Sequence, residues 1–281
     1  MKFNKIKILA CSLVVLGGLG LTPTQTFAAT LHPTGLKELH ENIPGIKTVK
    51  DTNNRAVLPK QVDLSSEFPA VTNQGNLGSC VAFATGYADK TYQENVQWEW
   101  GVNTNAHIFS PAYIYSQIHA DSSADGGGAY FSDAFNLLKS QGCTTLSDMP
   151  YNGNYYSWKT KPTTKQKANA AKYKAKSWSQ LPSGDYNAIK SQLASGNPVV
   201  IGISVYEDFD DLDASNPIYD KISGQNRGGH AICVVGYDDA KKAVKIINSW
   251  GKDWGINGYG WISYDLIASE DIEAYVMTDA E

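Results

Sequence analysis

The spacing of hydrophobic positions changes three times along this chain, and each change marks a different kind of element. Residues 8–21 form an almost unbroken apolar run, preceded by Lys2, Lys5 and Lys7 and followed by the small-x-small sequence Thr26-Phe27-Ala28. Fourteen residues interrupted by Ser12, Gly17, Gly18 and Gly20 are short for a membrane span, so the run predicts a cleaved export signal over 1–28. Residues 29–57 carry Pro33, Pro44, a polar cluster at 51–55 and little periodicity, which predicts a short leader rather than a domain.

Helical spacing begins near residue 80. Ala82, Phe83, Tyr87 and Tyr92 predict a helix from 80 to about 94 with Ser79 as its cap, and Ser110-Pro111 predicts a second helix start. Phe135, Leu137 and Leu138 predict a helix from 132 that stops at Gly142, and another is expected over 185–196. The pattern then turns to short β-branched and aromatic runs, which predict strands at 199–205, 230–237, 244–248 and 259–263. Helices followed by antiparallel strands predict an α+β domain over 58–281, with a mainly helical lobe at 58–165 and a mainly β lobe at 166–281. The boundary is expected in a linker at 162–167.

The whole chain of 281 residues carries a formal charge of −4, and removing 1–28 takes away three lysines and no acid. An acidic exported protein is not expected to bind nucleic acid or, once its signal is removed, to span a membrane. A monomer is expected, secreted or held at the cell surface. Cys80, Cys143 and Cys233 then remain, and an odd count in an oxidising compartment flags a free thiol. Cys143 and Cys233 stand in apolar contexts and are read as unpaired structural residues. The acidic cluster Glu207, Asp208, Asp210, Asp211 and Asp213 is read as a solvated loop, so no metal and no cofactor is expected. His32 and His40 fall in the leader and are expected to face solvent.

Three short stretches carry chemistry: 74–83 around Cys80, Gly228-Gly229-His230-Ala231, and Asn248-Ser249-Trp250-Gly251. A free thiol is mostly protonated at neutral pH, and the thiolate is the nucleophile. Cys80 lies where the Gly78-Ser79 turn gives way to a helix, so unpaired N–H groups would favour a negative sulfur. His230 would take the thiol proton, and Asn248 would accept from the other imidazole nitrogen and fix the tautomer. Gln74, six residues before Cys80, would aim a side-chain amide at the same place as the Cys80 N–H, making a pair of oxyanion donors.

These stretches resemble the papain family of cysteine peptidases, in which a Gln-Gly-x-x-Gly-Ser-Cys-x-Ala-Phe loop, a Gly-His-Ala strand and an Asn-Ser-Trp-Gly segment occur in this order. Here His230 and Asn248 follow Cys80 by 150 and 168 residues, and the likeness runs from about Leu58 to the C-terminal strands. The resemblance implies a two-lobed fold, a helical lobe beside an antiparallel β-barrel-like lobe, with the active site in the cleft between them. It implies Cys80 as nucleophile, His230 as base, Asn248 as orienter and Gln74 as oxyanion donor, with Trp250 covering the hydrogen bond from His230 to Asn248. It also implies that Gly126, Gly127 and Gly128 form a shelf for an extended protein or peptide substrate, with Ala231, Tyr130, Phe131 and Ile203 lining an apolar pocket beside it. No charged residue is evident there, so an apolar or aromatic side chain is expected two residues before the cut.

Leu77 and Val81 replace a disulfide cysteine and a tryptophan common in the family, which suggests a bacterial, disulfide-poor branch. Residues 29–57 are too few for the long helical pro-segment of plant and animal members, yet they are expected to cover the cleft until removed. The expected function is a secreted endopeptidase acting through a Cys80 thioacyl-enzyme. The alternatives are an exopeptidase or transpeptidase of the same fold, or a non-catalytic adhesion or inhibitory homologue.

Overall fold

The computed structural model describes residues 31–41, 43–49 and 58–280, so the expected export signal and the end of the leader lie outside the described residues. A long helix starts at Cys80 and runs as α1 (Cys80–Ala82), a π-helical stretch Phe83–Lys90 and α2 (Thr91–Trp98) in direct succession. Ser79 precedes it but makes no capping bond; its hydroxyl instead meets the Tyr151 hydroxyl at 2.7 Å. α3 (Pro111–Ile118) begins as its sequence predicts, with the Ser110 side chain accepting from the Tyr113 N–H and Pro111 at the first helical position. α4 (Phe131–Ser140) is followed by α5 (Thr164–Ala170), in the stretch read as a linker. A reciprocal capping box between Thr163 and Gln166 opens α5, a local signal that the reading of Pro162 as a break overlooked. α6 (Tyr186–Ala194) is capped by Asp185, whose carboxylate accepts from the N–H groups of Asn187 and Ala188.

Eight strands form one sheet: β1 (Gln61–Asp63), β2 (Ala175–Leu181), β3 (Val199–Tyr206), β4 (Ile218–Tyr219), β5 (Asn226–Asp238), β6 (Ala243–Ile247), β7 (Tyr259–Ser263) and β8 (Glu273–Asp279). Their order is β2-β8-β3-β5-β6-β7-β4, with β1 added to β5 and only β4 and β7 parallel. The two ends, β2 and β4, are not paired with each other, so the sheet is open and not the barrel-like closure the sequence reading expected.

Both faces of the central strand are covered. On β5, Ala231, Cys233 and Val235 pack into the core built by α1 to α4, while Ile232, Val234 and Tyr237 enter a second core with Ile189 and Leu193 of α6 and Leu266 and Ile267 of α7 (Tyr264–Ser269). Each of these buried aliphatic side chains stabilises the fold by about 1.5–3 kcal/mol relative to exposure. The two-sided cover is why β5 reads as a continuous apolar run and not as an alternation. Cys80, Cys143 and Cys233 are all buried and free. Among the described residues no helix is long and apolar enough to cross a membrane.

Candidate active site

The loop before α1 is tied to the Asn248 segment by its own chemistry. The Gln74 N–H donates to the Ser249 carbonyl at 2.8 Å, the Ser249 hydroxyl donates to Gln74 Oε1 at 2.6 Å, and Gln74 Nε2 donates to the Leu77 carbonyl at 2.9 Å. With Oε1 accepting from a hydroxyl, the amide is held with its nitrogen toward Leu77, and one N–H is left over. Gly75 has φ +65°, and a Cβ there would lie 2.6 Å from the Gly153 carbonyl oxygen, so only glycine fits this turn.

Cys80 is the first residue of α1, and its side chain is fully buried. Burial pushes the thiol up to about 12, although backbone N–H groups of Ala231, Val81, Cys80 and Leu36 act in the opposite direction. Ala231 follows His230 on β5, so the sulfur lies beside the strand that carries the imidazole.

His230 Nε2 and Asn248 Oδ1 are 2.8 Å apart. Because an amide oxygen only accepts, Nε2 carries the hydrogen and Nδ1 is the basic nitrogen of the neutral ring. Nδ1 is buried without a hydrogen-bond partner. Asn248 Oδ1 also accepts from the Ser249 N–H at 2.7 Å, which holds the amide plane. The Trp250 ring lies 4.6 Å from the imidazole and is itself backed by Phe209 and Trp254 at 5.4 Å and 5.8 Å. Burial pulls His230 down to about 4, against the raising effect of the Asn248 hydrogen bond. Burial thus favours the neutral form of both the thiol and the imidazole.

The segment 32–41 contributes to that burial. Gly35 and Leu36 N–H groups donate to the Gly229 carbonyl at 3.0 and 2.9 Å. The Ala129 N–H donates to the Gly35 carbonyl at 2.8 Å, and the Lys37 N–H donates to the Ala129 carbonyl at 3.0 Å. Leu36 is thus clamped between the wall that carries His230 and the wall formed by Ala129. His32 stacks on Trp250 with ring centroids 4.7 Å apart, and Trp250 Nε1 donates to the Pro33 carbonyl at 3.0 Å. This histidine is half-buried against Trp250 and not simply solvent-facing, as its polar sequence context had suggested. At the other end the Ser132 hydroxyl and N–H both bond the Glu41 carboxylate.

The residues of the predicted shelf are only partly brought to this segment. Gly126, Gly127 and Gly128 all have positive φ, but a Cβ on Gly126 would meet the Tyr115 hydroxyl, and one on Gly127 would meet the Asp121 carboxylate. Only Gly128 abuts the leader, 2.3 Å from a built Cβ to the Gly35 oxygen, and the backbone that pairs with it is that of Ala129. Glycines sit where the loop must turn; the pairing residue comes after the turn, where alanine is allowed.

The pocket that receives Leu36 also differs from the expectation. A Cβ built on Gly202 would lie 2.5 Å from Glu273 Oε1, 2.7 Å from Leu36 Cδ2 and 3.0 Å from Phe131 Cε2. A carboxylate therefore stands at the floor of a pocket read as uncharged. Its Oε2 accepts from the Tyr275 hydroxyl at 2.8 Å and the His40 N–H at 3.0 Å, while Oε1 is buried with no partner. Burial raises the Glu273 carboxyl above its ordinary range. Nothing local announces Glu273, because it lies on β8, a strand the sequence reading did not predict. Among the described residues no group of three or more His, Cys, Asp or Glu side chains could hold a metal.

A sequence profile described as papain family cysteine protease matches residues 58–279. A protein named cathepsin B-like CP3 from Giardia intestinalis is 30% identical over 251 residues, covering 85% of this chain and 79% of the relative. Among solved structures, xylellain, a cysteine protease from Xylella fastidiosa, is similar with a TM-score of 0.75 and 26% identity over 89% of this chain and 98% of that one. A procathepsin B from Trypanosoma congolense shares the fold with a TM-score of 0.71 at 19% identity, covering 89% of this chain and 87% of its own.

Proposed function

This chain belongs to the papain family of cysteine proteases, and on that footing we propose that it is a secreted endopeptidase with Cys80 as nucleophile, His230 as base and acid, Asn248 as orienter and Gln74 as oxyanion donor. The observation that carries the reading is the 2.8 Å bond from His230 Nε2 to Asn248 Oδ1, which leaves Nδ1 as a base on the strand beside the Cys80 sulfur. Nδ1 takes the thiol proton, and the sulfur attacks the scissile carbonyl carbon. The oxygen that becomes negative is met by the Cys80 N–H and the remaining Gln74 Nε2–H. As the tetrahedral centre collapses, Nδ1–H protonates the leaving amine and a thioester to Cys80 remains. The same nitrogen then deprotonates water, which releases the acid and restores the thiol. Trp250 shields the His230 to Asn248 bond from solvent.

Residues 1–28 are the export signal in this reading, and 29–57 an inhibitory leader that holds the enzyme latent. A peptide blocked at both ends tests endopeptidase action: internal cleavage is expected, and a peptide left intact while free-ended peptides are trimmed would overturn it.

The orphan Glu273 oxygen also sets substrate choice. A buried carboxylate oxygen without a partner is unfavourable, and a guanidinium or ammonium reaching the pocket floor would pair with it. We therefore assign the pocket to a basic side chain, where the sequence alone suggested an apolar one. Glu273→Leu is expected to lower the kcat/KM ratio of Arg-containing to Leu-containing peptides, matched at the position two before the cut, by about 10- to 100-fold. The Arg preference should also fade in the unsubstituted enzyme as pH falls through the raised Glu273 pKa, because only the ionised carboxylate attracts a cation. A ratio that Glu273→Leu leaves unchanged would rule out this assignment.

A further inference from the structure

We propose that Tyr151 and Tyr115 are the positioning residues of this site, Tyr151 for the oxyanion loop and Tyr115 for the substrate shelf; the proposal rests on the roles assigned above to Cys80 and Gln74. The Tyr151 hydroxyl lies 2.7 Å from the Gln74 carbonyl oxygen and 2.7 Å from Ser79 Oγ. A carbonyl only accepts, so Tyr151 spends its hydrogen on Gln74 and the Ser79 hydroxyl donates to Tyr151. One phenol thereby holds the loop at both ends, at the residue that supplies the oxyanion amide and at the residue before the nucleophile.

Tyr115 does the equivalent for the shelf, on the same side of the site. Its hydroxyl donates to the Asp125 carbonyl at 2.6 Å and accepts from the Gly128 N–H at 3.2 Å. The Gly78 N–H donates to the same Asp125 oxygen at 3.2 Å, so this node joins the shelf to the nucleophile loop. Gly126 is closed against the ring, with a built Cβ 2.6 Å from the hydroxyl.

Packing alone does not hold these loops from behind. Leu77, Tyr115, Tyr151 and Trp158 line a common cavity of about 190 Å³, and Tyr151 with Phe83 and Gly153 lines another of about 370 Å³ on its other side. Open space behind Tyr151 thus leaves its hydroxyl ties, together with the Gln74 to Ser249 bonds, to place the loop. Tyr→Phe keeps the rings, including the edge-on contact of Tyr151 with Phe83 at 4.8 Å, and removes only the ties.

The two ties predict opposite kinetic signatures. With the leader removed and enzyme concentration fixed by stoichiometric iodoacetamide labelling of Cys80, Tyr151→Phe should lower kcat about 10-fold with KM within about twofold, because a misplaced oxyanion donor acts only in the transition state. Tyr115→Phe should raise KM about 5- to 10-fold with kcat nearly kept, because a shifted shelf weakens ground and transition states alike. Ser79→Ala, which cuts the far end of the Tyr151 relay without touching the ring, should lower kcat in the same sense, and its combination with Tyr151→Phe should be less than additive. Melting temperatures are measured for all variants. Equal changes in kcat and KM, or kinetics unchanged at a lowered melting temperature, would overturn the proposal by reducing both tyrosines to fold stabilisers. Should Tyr115→Phe not fold, full additivity of Ser79→Ala with Tyr151→Phe would still overturn the assignment of Tyr151. Failure of the unsubstituted enzyme to be labelled at Cys80 after its leader has been removed would instead sink the reading on which the proposal rests.

Discussion

Cys80→Ser is expected to lower kcat/KM on a blocked peptide by about 10⁴-fold or more, with the fold and KM largely kept. The substitution exchanges one buried atom for a smaller one at the start of α1, so the packing of Leu77, Val81 and Ala82 around it is little disturbed. What changes is the ease of forming the nucleophile. A thiol beside an imidazole reaches its anion near neutral pH, whereas an alkoxide requires a far stronger base than His230 Nδ1. Residual hydrolysis would reflect the oxyanion donors and substrate binding alone. Hydrolysis at the unsubstituted rate would remove Cys80 from the mechanism and, with it, the meaning of the His230 geometry.

Displacing the leader is expected to have the second largest effect. In the covered site the thiol is pushed up to about 12 and the imidazole pulled down to about 4, so between these values neither is charged. At pH 7 a thiol with a pKa of about 12 is ionised in only about one molecule in 10⁵. In the proposed reading the leader would therefore block the cleft and also hold the nucleophile in its inert form. Gly35 offers a selective way to break this state, because a Cβ there would lie 2.1 Å from the Gly78 carbonyl oxygen, a backbone atom. Gly35→Val should expel the segment and raise the rate of iodoacetamide labelling at Cys80 by about 100-fold or more, approaching that of a chain beginning at Leu58. Equal labelling rates for the unsubstituted precursor, Gly35→Val and the leader-free chain would show that the leader does not control the thiol.

Much of the architecture was legible because it depends on neighbours a few residues apart. The Ser110-Pro111 helix start, the helix expected from 185 and the strand at 259–263 are local patterns, and the structure reproduces them. β2 and β8 were missed for the opposite reason. Ala175–Leu181 is exposed or half-buried at four of its seven positions, and Glu273–Asp279 begins with a buried acid, so neither shows the apolar alternation that marks a strand. Their pairing with each other, and of β8 with β3, makes them strands.

The same division separates the parts of the site. Cys80, His230, Asn248 and Gln74 are candidates that the sequence offers unaided, because the proposed roles of nucleophile, base, orienter and oxyanion donor each require a particular functional group in a short recognisable setting. Tertiary structure alone decided which imidazole nitrogen stays free, that Ala129 rather than the glycines pairs with an extended segment, and that Glu273 stands at the pocket floor. It also decided the protonation of the covered site. Those properties arise from groups brought together across roughly 20 to 240 positions of chain, and from the exclusion of water where they meet, neither of which leaves a mark on neighbouring residues.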